Sequence, residues 1–411
     1  MIDAFHRAPS NWRTMPLKRT VTACVNGTWG DEPGGGPDDL ICVRVADFDR
    51  QRLRISLQNP SLRSVSAAYR RNRLLAPGDL LLEKSGGGEG QPVGVAVLYE
   101  GGPPAVCSNF IARMPPAPGF DARYLCYLHA ALYQLGVTRR STYQTTGIQN
   151  LDTTSYLQEV VRVPDVAEQR RMAGALDSRN DLLDRLIKTK VLALNRLRQR
   201  REALISRAVS GGCWPGVRFK FVRSGALLYG ANQPADDCVR DDPRYIRITD
   251  LNEDGTLRED TFRSLPPRLA APYLLEDGDL LLARSGASVG KAFLFRGRNG
   301  TACFAGYLVR LRPDRRKVLP AYLHYFTQSR DYRDQVRLHT VQSTIANVNA
   351  ERYGNFVMPL PPLEEQRAIV NSLNRAAGEV DRLVHFMERQ LSLLREYRAA
   401  MIVDAVTRRC D

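Results

Sequence analysis

The chain has 411 residues, 43% of them hydrophobic and 25% charged, and its 59 Lys and Arg outnumber 44 Asp and Glu for a net charge of +15. That length allows two or three domains with cores of their own, and the composition excludes a disordered or fibrous chain. The opening "MIDAFHRAPSNWRTM" holds no apolar core of signal-peptide length, and no run approaches the roughly 18 apolar residues of a membrane span, so a cytoplasmic protein with no membrane partner is expected.

In chain order, residues 14–164 read as mixed α/β. Short β-rich runs ("LICVRV", "DLLLEK", "GVAVLY") are separated by Gly, Pro and Asp. A long helical stretch follows over 165–209, opening just after Pro164 with Asp165 and Glu168 in its first turn. Leu176, Leu183, Ile187, Leu194, Leu197, Leu204 and Ala208 fall on one coiled-coil stripe. "SGGCWPG" (210–216) turns the chain into a second α/β region over 216–361. A second helical stretch, 362–407, has Glu364 and Glu365 at its start and the stripe Leu373, Val380, Val384, Leu391, Leu394, Met401 and Ala405. A single such stripe reads equally well as the core face of one helix. Two at matching positions are buried most simply against each other. A helix of about 45 residues spans about 67 Å, long enough to hold two globular domains apart.

The halves are copies of one plan. "GDLLLEKSG" (78–86) answers "GDLLLARSG" (278–286), and "CVRVADFD" (42–49) answers "YIRITDLN" (245–252), pairing Arg44 with Arg247 and Asp47 with Asp250. "GVAVLYEGG" (94–102) matches "GKAFLFRGR" (290–298), "FIARM" (110–114) matches "YLVRL" (307–311), and "PDVAEQR" (164–170) matches "PPLEEQR" (361–367). Domain boundaries are drawn at 1–164, 165–215, 216–361 and 362–411.

Several chemistries fail on detail. "RSGASVGKA" lacks the four-residue spacing of a P-loop, and Ala292 stands where a magnesium-binding hydroxyl is required. Its counterpart has Val95 in place of Lys291, so the shared Gly-Asp, apolar run and Ser-Gly read as a turn, a buried strand and a second turn. The eight cysteines (Cys24, Cys42, Cys107, Cys126, Cys213, Cys238, Cys303, Cys410) and five histidines stand singly, which speaks against a zinc site, a disulfide framework or a His-based catalytic constellation. Positive charge points to a polyanionic partner, most commonly nucleic acid. Only seven of the 59 basic residues are Lys, however, and such an Arg bias also fits a GC-rich genome.

"GTWGDEPGGG" (27–36), the paired "GDLLL…SG" segments and above all "PLPPLEEQRAIVNSL" (359–373) resemble the specificity subunits of type I restriction–modification systems. The resemblance runs over nearly the whole chain, although the first copy has "VPDVAEQR" in place of "PLPPLEEQR". It implies an α+β chain in which two pseudo-repeated mixed α/β target recognition domains are separated by two long helices packed as an antiparallel coiled coil. It further implies a non-catalytic subunit that reads a bipartite, asymmetric target in double-stranded DNA. Two modification subunits would bring S-adenosylmethionine and adenine methylation, restriction (translocase) subunits would bring ATP and Mg, and this chain would hold no cofactor. A basic coiled-coil scaffold without sequence readout, and an enzyme with an unrecognised site, are the alternatives. The repeat plan leaves no stretch large enough for a catalytic domain.

Readout needs Arg or Lys toward guanine, Asn or Gln toward adenine, and hydroxyl or aromatic groups alongside. "RRSTYQTTGIQN" (139–150) and "RLHTVQSTIAN" (337–347) have that mixture. The candidates are Arg139, Arg140, Thr142, Tyr143 and Gln144 in the first domain, and Arg337, His339, Thr340, Gln342 and Ser343 in the second; an ordinary polar loop is the competing reading. Lys84, Arg284 and Lys291 are candidates for phosphate contact. Arg44 and Arg247 read instead as structural partners of Asp47 and Asp250.

Overall fold

The computed structural model describes residues 5, 8–88, 90–145, 147–252, 256–340 and 347–407. The chain forms two compact units, one of residues 1–190 and 390–411, the other of residues 191–389. A central helix (Val166–Ser210) and a distal helix (Leu363–Thr407) each contribute residues to both. Among the described residues, no helix is long and apolar enough to cross a membrane.

The first unit is built on a six-stranded sheet. Its middle holds β1 (Leu80–Glu83), flanked antiparallel by β2 (Ala96–Leu98) and β3 (Ile111–Met114). Every residue of β1 is buried, because both sheet faces are covered. Leu80 and Leu82 join a core with Tyr124, Leu125 and Leu128 of α1 (Ala122–Gln134). Leu81, one step along the pleat, joins Val43, Val97 and Cys107 on the opposite face. That is why the motif reads as an unbroken Leu run and not as an alternation.

The second unit repeats this centre. β4 (Leu280–Ala283) lies between β5 (Ala292–Leu294) and β6 (Leu308–Leu311), with Leu280 and Leu282 on one core and Leu281 and Ala283 on another. α2 (Pro320–Phe326) takes the place of α1, and α3 (Arg330–Thr340) follows it.

The rest of the Gly-Asp motif is also structural. Gly78 and Gly278 both have φ +95°, a backbone conformation open to glycine at little cost. The buried Asp279 carboxylate accepts from the Glu276 amide (2.9 Å) and from both Nε and Nη2 of Arg312 (2.8 Å each). Asp79 repeats this with the Ala76 amide (2.7 Å) and Arg113 Nε (2.5 Å). The Arg44–Asp47 and Arg247–Asp250 pairs are two-pronged within their own turns, each Nη2–Oδ1 distance being 2.8 Å. The two arginines stand just past the ends of strands, at the caps of 3-10 turns, and not within strands.

The long helices pair antiparallel inside each unit. In the first, Lys190 Nζ donates to Gln390 Oε1 (2.7 Å), and the buried Arg398 guanidinium bonds the Asp184 carboxylate. Partial burial pushes the Asp184 carboxyl up, but bonds from Arg398 and Arg52 outweigh it and hold the group below the usual range. In the second, Arg198 meets Glu388 (2.7 Å) and Arg201 meets Asp381 (2.5 Å). Leu176, Leu183, Leu194, Leu373, Val380, Leu391, Met401 and Ala405 of the two stripes are buried. Ile187, Leu197, Leu204, Ala208, Val384 and Leu394 are half-buried.

Each helix is fastened to its domain by one buried glutamine, from the "EQR" of the sequence match. Gln169 Oε1 accepts from the Asp121 amide at the head of α1 (2.8 Å), and its Nε2 donates to Pro164 O (2.9 Å). Gln366 Oε1 accepts from the Leu319 amide at the head of α2 (2.8 Å), and its Nε2 donates to Lys317 O (3.0 Å) and Pro361 O (2.8 Å).

Candidate nucleic-acid interface

In the first unit the candidate segment folds as a hairpin. Arg139 and Arg140 lie in a 3-10 turn (Thr138–Ser141), after which β7 (Thr142–Thr145) pairs antiparallel with β8 (Ile148–Leu151). β8 in turn pairs with Ser85–Gly86, the residues that close the "GDLLLEKSG" motif. The repeated motif therefore carries the candidate segment on its own end. Arg139, Arg140, Tyr143 and Gln144 are exposed. Among the described residues Arg140 makes a 4.0 Å surface contact with Glu159, worth little in water. Thr142 instead donates its hydroxyl to Thr138 O (2.9 Å).

In the second unit the described part of the corresponding segment, residues 337–340, is the end of α3. Tyr332 and Val336, four residues apart, bury its inner face, and Arg330 and Asp334 approach to 3.6 Å on the outside. Arg337 is exposed. The His339 ring stacks on Phe356 (centroids 5.4 Å apart), and the Thr340 hydroxyl donates to Arg337 O (3.0 Å). Gln342 and Ser343 lie outside the described residues.

The three phosphate candidates differ in setting. Lys84 is half-buried and Lys291 exposed. The half-buried Arg284 lies over the Tyr229 ring at 4.7 Å, a cation–π contact. The Gly290–Lys291 pair has a packing reason. At Gly290 (φ +84°) an added Cβ would meet Val336 Cγ1 of α3 at 2.9 Å, and at Gly94 (φ +110°) one would meet Thr138 Cβ at 2.6 Å. Both glycines admit the segment that follows the domain's helix.

One feature was missed in the sequence. The Lys84 amide donates to Phe110 O (2.9 Å) and Lys84 O accepts from the Leu151 amide (2.8 Å). The second unit repeats this with the Arg284 amide to Tyr307 O (3.0 Å) and the Val348 amide to Arg284 O (2.8 Å). Phe110 (41%) and Tyr307 (63%) are thus equivalent exposed rings, each beside a basic residue and the candidate segment. Aligning "FIARM" with "YLVRL" pairs them, but only the fold shows that they face solvent.

Among the described residues no group of three or more His, Cys, Asp or Glu is placed to hold a metal ion. His129 is buried, its Nδ1 2.7 Å from Tyr156 Oη, and burial lowers its pKa to about 4. Burial likewise raises the Cys107, Cys126 and Cys303 thiols to about 12, so these are core residues and not nucleophiles.

Residues 237–380 match the family model of the type I restriction modification DNA specificity domain. The putative type I restriction enzyme MjaX specificity subunit of Methanocaldococcus jannaschii is 28% identical over 144 residues, 34% of this chain and 32% of the relative. The type I restriction enzyme EcoBI specificity subunit of Escherichia coli is 25% identical over 158 residues, 38% of this chain and 32% of the relative. The matched segments thus span about a third of those relatives' length. A solved chain from work on the complex assembly and conformational transition of the type I R-M system is similar over 98% of this chain and 99% of its own, with a TM-score of 0.68 at 18% identity. That likeness is one of fold. The comparisons bear out the resemblance to specificity subunits read from the sequence.

Proposed function

We propose that this chain, which carries a type I restriction modification DNA specificity domain over residues 237–380, is the DNA-reading subunit of a type I restriction–modification complex. The observation that carries the reading is this match in one half of a chain whose other half repeats the same sheet centre, buried Asp–Arg pair and glutamine staple. Each unit reads a short half-site of duplex DNA, and the paired helices set the unread gap between them. Two unlike readers in one chain suit an asymmetric target. Arg139, Arg140, Tyr143 and Gln144, with Arg337 in the second unit, are the exposed candidates for contact, and Lys84, Arg284 and Lys291 serve phosphates.

The chain carries no catalysis in this reading. Modification subunits supply adenine methylation with S-adenosylmethionine, restriction subunits supply ATP- and Mg-dependent cleavage, and the complex works in the cytoplasm. In the first unit, Leu182 (64%) and Leu186 (43%) of the central helix and Leu393 (49%) and Tyr397 (59%) of the distal helix stay exposed at helical spacing. Apolar side chains so placed suit packing by helices of a partner subunit. Binding-site selection from random duplexes, using the chain purified with its attached partners, tests the reading. Two short motifs at one fixed separation are expected. Salt-labile binding with no motif would leave a basic scaffold in its place.

A further inference from the structure

We propose that Asn150 is a base-reading residue of the first unit, its side-chain amide set to address adenine. This rests on the DNA-reading function above and names a residue outside the candidates chosen from sequence.

Tyr143, Asn150 and Ser85 lie directly opposite one another across three adjacent strands, so their side chains share one face. The Ser85 hydroxyl donates to Asn150 Oδ1 (2.6 Å). The bond holds the amide in place on that face, and as placed its oxygen is the end toward Ser85. The two Nδ2 hydrogens are left without a partner among the described residues, and Oδ1 keeps a second lone pair. One donor beside one acceptor is the pattern that matches N7 and N6 of adenine in the major groove.

The surroundings suit the task. Tyr143 (56% exposed) stands at one end of the row, and at the other the Ser85 amide donates to the carbonyl of the exposed Phe110 (3.2 Å). Arg139 and Arg140 lie exposed at the entry to the hairpin, where cations can hold phosphates and fix register.

A purely structural role for the Ser85–Asn150 bond is countered by the second unit. There Ser285 and Asn347 form the equivalent antiparallel bridge, yet the side-chain oxygen Oδ1 of Asn347 is buried without a partner among the described residues. The fold closes this ladder without the Ser–Asn side-chain bond. In the first unit the bond therefore orders an amide that strand pairing does not require to be ordered.

The experiment uses the full chain with its attached partners and the duplex obtained by selection, then competes it against duplexes changed one base pair at a time. Asn150→Ala is expected to cut discrimination for adenine at one position of one half-site by about 5- to 150-fold, leaving the other half-site intact. Asn150→Asp keeps the acceptor for Ser85 and replaces the outward donor with an acceptor, so preference at that position moves from adenine toward cytosine. Asn347→Ala leaves that position unchanged. Melting curves identify any variant that fails to fold, and Asn150→Asp then decides. Wild-type discrimination in both Asn150 variants, or a uniform loss of affinity with no change of preference, overturns the assignment. If the wild-type chain selects no motif at all, the DNA-reading function fails and the assignment falls with it.

Discussion

Replacing Gln366 with Leu removes all three hydrogen bonds of a fully buried side chain while nearly preserving its volume. The Leu319 amide, Pro361 O and Lys317 O lose their partner together. Pro361 is buried, Leu319 half-buried and Lys317 exposed, so the Pro361 carbonyl and the Leu319 amide are the two groups counted as stranded. Two groups stranded at about 1–3 kcal/mol each give a destabilisation of about 2–6 kcal/mol. For a unit of roughly 200 residues, about 2–4 °C per kcal/mol implies a fall in Tm of about 4–24 °C. The assay is differential scanning calorimetry of the full chain, with Arg367→Leu as an exposed control on the same turn, expected to stay within about 0.5 kcal/mol of wild type. A Gln366→Leu protein melting within 2 °C (about 1 kcal/mol or less) of that control would refute the staple.

Asp279→Ala leaves Arg312 without its buried carboxylate and is expected to destabilise the second unit by about 3–5 kcal/mol, read from urea midpoints; an unchanged midpoint would contradict the strut role. Leu373→Ala, at a 2% exposed stripe position, should cost about 2–5 kcal/mol by the same measure, whereas Leu383→Ala, 51% exposed, should cost under about 0.5 kcal/mol. His129 titrates at about 4 when folded against about 6.5 unfolded. The unfolded chain therefore binds the proton first, and stability present above pH 6.5 is lost as pH falls toward 4. About 2 kcal/mol of that loss is reached by pH 5. His129→Gln should lose less stability than wild type between pH 7.5 and pH 5, and an equal loss would show that other groups carry the dependence.

The features most legible in the sequence were those that repeat or recur locally. The Leu runs at 80–82 and 280–282, Gly78 and Gly278, and the heptad stripes need only neighbours a few residues away or a second copy to be read. Gln169 and Gln366 were not legible as anchors. A glutamine in the first turns of a helix looks solvent-facing, and its burial depends on amides at Asp121 and Leu319, almost 50 residues distant. The candidate segments were aligned as equivalents, and the fold gives what the alignment does not: Thr142–Thr145 pairs with Ile148–Leu151 in the first, residues 337–340 end a helix in the second, and Ser285–Asn347 repeats the Ser85–Asn150 bridge. Asn150 looked like one polar residue among many until strand register set it against Ser85.

The central claim is that each unit reads its own half of one DNA target. The most direct test exchanges residues 216–361 for the corresponding domain of a type I specificity subunit and repeats the binding-site selection. The account predicts that one half-motif changes while the other half-motif and the gap are kept. Both motifs changing together, or neither, would contradict it.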